Sequence, residues 1–332
     1  MIQLTRRGLL AGTAATTAAL SMGLTPSELH AAAPAAGKQA PGFYRYKVGD
    51  IEVTVVTDGV ARGKLVENFV TNVKEEEVKA ALAAAHYDRE IFNNTFTPIV
   101  LNTGGKLVLI DTGTGEANFT ASKGTAGQFT NNLAAAGLSG AVIDTVIISH
   151  YHGDHMNGLL KADNTPAFPN AEILVPANEH KYWMDDGEMS RAPKGRIEGL
   201  FKNARRVFSG DVAKRVRTYE WDKEVVPGVT AVGTPGHSPG HTSFVVSSGS
   251  SKVFVQSDLT HVPYLFVRNP GWHAFYDQDA AMAEATRRKA LDMLAAEKMM
   301  VQGFHFPFPA QAYIEKTATG YRETMVPWNA AM

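Results

Sequence analysis

The chain has 332 residues, 44% apolar and 20% charged, a composition that suits a globular protein with a core large enough to stand without staples. Its 32 basic and 33 acidic residues leave a net charge of −1, which excludes a basic footprint for nucleic acid, so no nucleic-acid partner is expected. Cysteine is absent, which excludes a disulfide framework and every thiolate metal ligand.

The chain opens on Thr5-Arg6-Arg7-Gly8-Leu9-Leu10, which resembles a twin-arginine export signal, followed by a mildly apolar, Ala- and Thr-rich stretch to about Leu24. That stretch carries too many Thr, Ser and Gly residues for a good membrane span, and Ala33-Pro34-Ala35 fits an A-x-A cleavage site. Residues 1–35 are therefore expected to be removed. The mature chain, 36–332, is expected in the periplasm or outside the cell, without a membrane attachment.

Beyond a Pro/Gly/Lys linker, residues 43–46 and 51–56 alternate like strands, with Asp58-Gly59 as a turn. Residues 74–85 have helical composition. Residues 97–102 and 107–110 around Gly104-Gly105 predict a hairpin, and 127–136 predict a helix closed by Gly137. Residues 142–149 are a nearly continuous apolar run of strand length, the signature of a strand buried on both faces. Further strands are predicted over 171–175, 229–232, 244–246, 253–255 and 299–303, and a long helix over 279–298. Residues 179–206 are polar and Gly-punctuated, with Trp183, Leu200 and Phe201 embedded, and are expected to form a partly helical insertion near the site.

Chemistry concentrates in Ser149-His150-Tyr151-His152-Gly153-Asp154-His155, at the end of the run 142–149. Imidazole and carboxylate are the nitrogen and oxygen donors that zinc accepts, and four such side chains in six residues exceed surface decoration. On a tight loop, His150 and His152 can face one ion and Asp154 and His155 a second, with Gly153 allowing a sharp turn between the pairs. Further donors follow predicted strands: His237 across Gly233-Thr234-Pro235-Gly236, then Asp258, then His305. Ligand sites in α/β sheets gather at the carboxyl ends of strands, so these distant segments can converge.

This pattern, His150-x-His152-x-Asp154-His155 with His237, Asp258 and His305 downstream, resembles the metallo-β-lactamase-fold hydrolases over about residues 43–328. The resemblance implies an α+β fold, a four-layer αβ/βα sandwich, in a single domain over 36–332. It implies two divalent metal ions, zinc before others. One would sit on His150, His152 and His237, the other on Asp154, His155 and His305. Asp258 would bridge them, and Asp154 and Asp258 would be the catalytic carboxylates. A hydroxide shared by the ions would attack a lactone or aryl ester without a Ser or Cys nucleophile. Segments such as Lys106-Leu107-Val108-Leu109-Ile110-Asp111-Thr112-Gly113 and Gly236-His237-Ser238-Pro239-Gly240-His241-Thr242 are most similar to secreted methyl parathion hydrolase-like proteins and related lactonases. The bulky or polar Leu259-Thr260-His261-Val262-Pro263-Tyr264 and Tyr276 depart from the smaller lining of methyl parathion hydrolases. Lactone or aryl ester hydrolysis is therefore expected, with phosphotriester hydrolysis as the alternative.

Among the neighbours, Asp111 follows a strand in Asp-Thr-Gly and is expected to accept from a ligand histidine. His241 is expected to support the site without binding metal. Trp183, Phe201, His261 and Tyr276 are candidates for the substrate pocket, with ordinary core packing as the competing role for each. A redox protein of the flavodiiron type would need a flavin domain, and a nucleic-acid-processing enzyme a basic surface. The expected partner is a small ester or lactone. The sequence leaves the oligomeric state open, a homodimer included.

Overall fold

The computed structural model describes residues 37 and 39–331. Two units divide the chain, Met1–Ala40 and Pro41–Met332, and the architecture below is that of the second. The export signal expected over 1–35 lies outside the described residues.

Strands β1 (Phe43–Val48) and β2 (Ile51–Val56) pair antiparallel across Gly49, which takes φ +58 in the turn. β3 (Gly59–Lys64) and β4 (Ile91–Phe96) form a separate two-stranded ribbon. The first half of the chain continues with β5 (Ile99–Thr103), β6 (Lys106–Ile110), β7 (Thr145–Ile147), β8 (Glu172–Pro176) and β9 (Val216–Tyr219). The second half supplies β10 (Glu224–Val226), β11 (Val229–Gly233), β12 (Thr242–Ser248), β13 (Ser251–Ser257), β14 (Met300–Gly303), β15 (Gln311–Lys316) and β16 (Tyr321–Met325). Among the described residues these make two seven-stranded sheets, ordered β1-β2-β5-β6-β7-β8-β9 and β10 through β16 in sequence. Pairing turns parallel from β6 to β9 in the first sheet, and between β13 and β14 in the second.

Period-two alternation of apolar side chains sets the layers. Val53, Val55, Ile99, Leu101, Val108 and Ile110 share one core with Val229, Ala231, Phe244, Val246, Val253 and Val255 of the other sheet. Their chain neighbours Val56, Val100 and Leu109, with Val146 of β7, belong instead to the core beneath helices Phe129–Ala135, Ala177–Met184 and Arg196–Val207. In the other half, Phe254 and Val301 pack with Leu291 and Leu294 of helix Ala280–Glu297. Helix, sheet, sheet, helix is the expected four-layer sandwich, and it forms a single domain. Among the described residues no helix is long and apolar enough to cross a membrane.

Three local expectations change. The strand expected over 142–149 shrinks to β7, because Gly140–Val142 forms a 3-10 turn that leaves Val142 49% exposed. Asp58-Gly59 is not a closed turn but the entry to β3. The buried Asp58 carboxylate accepts from Phe129 N at 2.8 Å and from Thr114 N and Oγ1 at 2.8 and 2.7 Å. That contact sets the start of helix Phe129–Ala135, so Gly127, at φ +75, lies outside it. The β3–β4 ribbon has no counterpart among the predicted elements, since Arg62-Gly63-Lys64 and Asn93-Asn94 carry little strand propensity.

Candidate metal centre

The site is assembled from loops at the carboxyl ends of β6, β7, β11, β13 and β14. Asp111 follows β6 with φ +59, a left-handed conformation that Asp tolerates better than most residues. Its carboxylate accepts from Ser149 N at 2.8 Å and Ser149 Oγ at 2.7 Å, which lifts the chain off β7 into the His150–His155 loop. Gly153 does not make the expected sharp turn. It begins the one-turn helix Gly153–Met156, where a Cβ would meet Asn157 Nδ2 at 2.8 Å. That turn places Asp154 and His155 in a different donor set from His150 and His152.

Two donor sets converge: His150, His152, His237 and Asp258; and Asp154, His155, Asp258 and His305. In each, the donor atoms lie within 4.8 Å of one another. His237 Nε2 is 2.8 Å from His152 Nδ1 and 3.3 Å from Asp258 Oδ2. His305 Nε2 is 3.1 Å from Asp258 Oδ2, and His155 Nε2 is 3.1 Å from Asp258 Oδ1. Asp258 is the group common to both sets, which is where a bridging ligand belongs. Asp154 Oδ2 stands 3.5 Å from His305 Nε2 and 3.6 Å from His155 Nε2.

The donor atoms fit divalent ions. The Nε2 atoms of His150 and His155 and Oδ1 of Asp258 are buried without a hydrogen bond of good geometry. Orphaned polar atoms in a core are costly unless something satisfies them. Burial, reinforced by neighbouring histidines, holds His150 and His152 well below the usual imidazole range, so both are neutral and keep a lone pair for an ion.

The supporting contacts decide which nitrogen faces inward. Asp111 Oδ2 accepts from His155 Nδ1 at 2.8 Å, as expected. His241 has no place in either donor set. Its Nδ1 lies 3.0 Å from the Thr234 carbonyl, and its Nε2 accepts from Asp258 N at 3.0 Å, so it anchors the backbone of the shared carboxylate. Burial pushes His241 down to about 3, which keeps Nε2 an acceptor. Three supports have no counterpart in the sequence reading. Asp277 accepts from His237 Nδ1 at 2.9 Å and pairs with the buried Arg287 at 3.2 Å. The Thr95 carbonyl of β4 takes His305 Nδ1 at 2.7 Å. Glu179 accepts from Tyr151 N at 2.9 Å and Gly240 N at 2.6 Å, in the loops that carry His150 and His237. Asp277 is hidden in sequence because it stands two residues before Asp279, which caps helix Ala280–Glu297 by accepting from Met282 N at 2.9 Å. An acid in that position reads as capping.

A cavity of about 500 Å³ opens over His152, Asp154, His237 and Asp258. Phe69, Phe92, Phe96, Phe275 and Tyr276 wall it, with His261 at the floor and Arg62, Lys64 and Arg196 among its lining. His261 stacks on His305 at 3.8 Å and on Tyr276 at 4.5 Å between ring centroids. Of the four pocket candidates, His261 and Tyr276 line this cavity. Trp183 and Phe201 do not. Both are 0% exposed and pack on each other at 4.6 Å in the core between the first sheet and its helices, leaving Leu200 of the same insertion to reach the cavity.

Comparison with known proteins gives the same picture. Residues 97–301, more than half of the chain, match the family described as the Metallo-beta-lactamase superfamily. Relatives in sequence include the N-acyl homoserine lactonase AiiA of Bacillus thuringiensis subsp. kurstaki, 28% identical over 157 residues, 47% of this chain and 53% of the relative. An N-acyl homoserine lactonase of Bacillus sp is 28% identical over 167 residues, 50% of this chain and 58% of the relative. The chain thus spans about half the length of the curated relatives it matches. Among solved structures, AidC, a dizinc quorum-quenching lactonase, superposes with a TM-score of 0.79 at 26% identity, covering 87% of this chain and 98% of that one. The hydrolase AbOPH of the beta lactamase superfamily gives 0.80 at 25% identity, over 88% and 100%. With its sandwich, its two donor sets and a match across both sheets, the chain belongs to the metallo-beta-lactamase superfamily.

Proposed function

We propose that this protein is a dinuclear zinc hydrolase acting on lactones, N-acyl homoserine lactones among them. The observation that carries the reading is the convergence of two donor sets on one shared carboxylate, Asp258. His150, His152 and His237 would hold one ion, and Asp154, His155 and His305 the other. The all-nitrogen-and-oxygen donor set suits zinc. Bound divalent ions would supply Lewis acidity and bring the pKa of a water to about 7. Asp258, common to both sets and with its backbone fixed by His241, would orient such a water. His261 Nδ1 and Tyr276 Oη are both buried and lack hydrogen-bond partners within the described chain, so each is free to meet a polar group of the substrate. The aromatic walls suit an acyl chain or a planar ring.

Lactonase names among the relatives, and a dizinc lactonase among the similar structures, support this substrate class. The test is steady-state kinetics on an acyl-homoserine lactone, dihydrocoumarin and methyl parathion side by side, with elemental analysis of the same protein. We expect about two metal ions per chain and the highest kcat/KM on the lactones. A higher kcat/KM on methyl parathion would make phosphotriester hydrolysis the main activity instead. A reproducible content near one ion per chain would remove the dinuclear reading.

We propose also that the protein is exported by the twin-arginine route, supported by Arg6-Arg7 and the Ala-rich segment after them. Replacing both arginines with lysine is expected to retain the precursor in the cytoplasm. Unchanged accumulation outside it would refute the route.

A further inference from the structure

We propose that Glu179 is a positioning residue that fixes the spacing between the loops carrying His150, His152 and His237, and so holds one metal site but not the other. The proposal rests on the dinuclear reading above. Glu179 lies in the first turn of helix Ala177–Met184 and is 0% exposed. Its Oε1 accepts from Tyr151 N at 2.9 Å and Trp183 Nε1 at 2.7 Å. Its Oε2 accepts from Ser238 Oγ at 2.9 Å and Gly240 N at 2.6 Å. Tyr151 stands between His150 and His152, and Ser238 and Gly240 follow His237. One buried carboxylate therefore ties together, partly through backbone N–H groups, the two loops that supply one ion. The other set is anchored elsewhere, His155 by Asp111 and His305 by the Thr95 carbonyl.

The chemistry of this clamp allows only an ionised carboxylate. Four donors point at two oxygens, and a protonated acid or an amide would turn its own hydrogen against at least one of them. Burial pushes the Glu179 carboxyl upward, and the four donors oppose that rise. Charge-assisted bonds to buried N–H groups are the strong ones, and a buried donor left unmade carries its full desolvation cost. A second observation points the same way. A Cβ on Gly240 would collide with the backbone N and Cα of Glu179, so the His237 loop lies directly on the start of the helix. Close approach and the carboxylate clamp together leave that loop little freedom to drift from His150 and His152.

Glu179→Gln keeps the volume but turns an amide toward one pair of donors. Ser238 Oγ can rotate to accept from it; Gly240 N cannot. The experiment measures metal release from the full-length protein under graded competition by a chromophoric chelator. His152→Ala and His305→Ala mark the two sites. In Glu179→Gln we expect one ion to be released about tenfold more readily, or more, while the other is held as in wild type. Combined with His152→Ala the substitution should change retention no further, whereas combined with His305→Ala it should leave no tightly held ion. Ser238→Ala, which leaves the carboxylate and three donors, should loosen the same ion by a smaller factor. Unchanged retention of both ions in Glu179→Gln, or equal loosening of both, overturns the proposal. If Glu179→Gln does not fold, Ser238→Ala decides, and unchanged release from it overturns the proposal. A wild-type chain that holds fewer than two ions overturns the dinuclear reading and this proposal with it. Two wild-type ions without site-selective release overturn the proposal alone.

Discussion

Asp258 is the residue on which both halves of the site depend. Burial would push its carboxyl upward, but His305 and His155 outweigh that and hold it well below the usual carboxylate range, so it is ionised and available to both donor sets. Asp258→Asn keeps the shape and one carbonyl oxygen but removes the negative charge and the ability to take a proton. Metal should bind more weakly, and with metal in excess occupancy should recover while turnover does not. The expected loss of kcat is on the order of 10²-fold or more, the scale of a positioned acid–base group. His241→Gln is the comparison. It can still offer an acceptor to Asp258 N and a donor to the Thr234 carbonyl, and it stands outside both donor sets, so its loss should be smaller. Near-full kcat in Asp258→Asn at full metal occupancy would show that the carboxylate is a bystander.

At the scale of elements, the site is legible in sequence wherever a strand delivers a donor. A short apolar run followed within a few residues by His or Asp marks both a strand and a donor beyond its carboxyl end, which is why His150, His237, Asp258 and His305 can be grouped from sequence alone. What escapes is whatever the chain supplies through backbone or through a residue with a second plausible use. The Thr95 carbonyl carries no side-chain signal, the β3–β4 ribbon lacks strand propensity, and Asp277 is hidden beside a helix cap. Period also fails to tell a buried aromatic from a pocket wall. Phe201 on helix Arg196–Val207 faces Trp183 in the core, while Phe92 on β4 faces the cavity. These placements have separable consequences. Phe201→Ala should destabilise the fold by about 3–5 kcal/mol, as for other fully buried aromatics, and leave KM for a lactone unchanged in the folded protein. Phe92→Ala should do the reverse, raising KM with a smaller loss in Tm. A raised KM in Phe201→Ala at full folding would return Phe201 to the pocket.

For the whole molecule, the donors divide by sheet. His150, His152, Asp154 and His155 come from the end of β7 in the first sheet, whereas His237, Asp258 and His305 come from β11, β13 and β14 in the second. Each donor set therefore takes residues from both sheets, and an ion in either one would tie the two halves of the sandwich together. The apolar core between the sheets does the same without metal, so the fold should survive its removal, but with less stability. An ion at about a thousandfold over its Kd contributes about 4.1 kcal/mol to the folded state. In a domain of this general size roughly 2–4 °C of Tm accompany each kcal/mol, so loss of a single ion should lower Tm by about 10 °C. Exhaustive chelation followed by thermal unfolding, monitored by circular dichroism, measures this directly. Stepwise return of zinc should restore Tm toward the starting value in proportion to occupancy. The cross-link adds a sharper expectation: His152→Ala, which removes a first-sheet donor, and His237→Ala, which removes a second-sheet donor to the same ion, should each abolish the same increment of zinc stabilisation, and the double variant should lose no more than either. Equal Tm values for chelated and metal-loaded protein would show that the ions do not join the sheets, whatever they do for the chemistry.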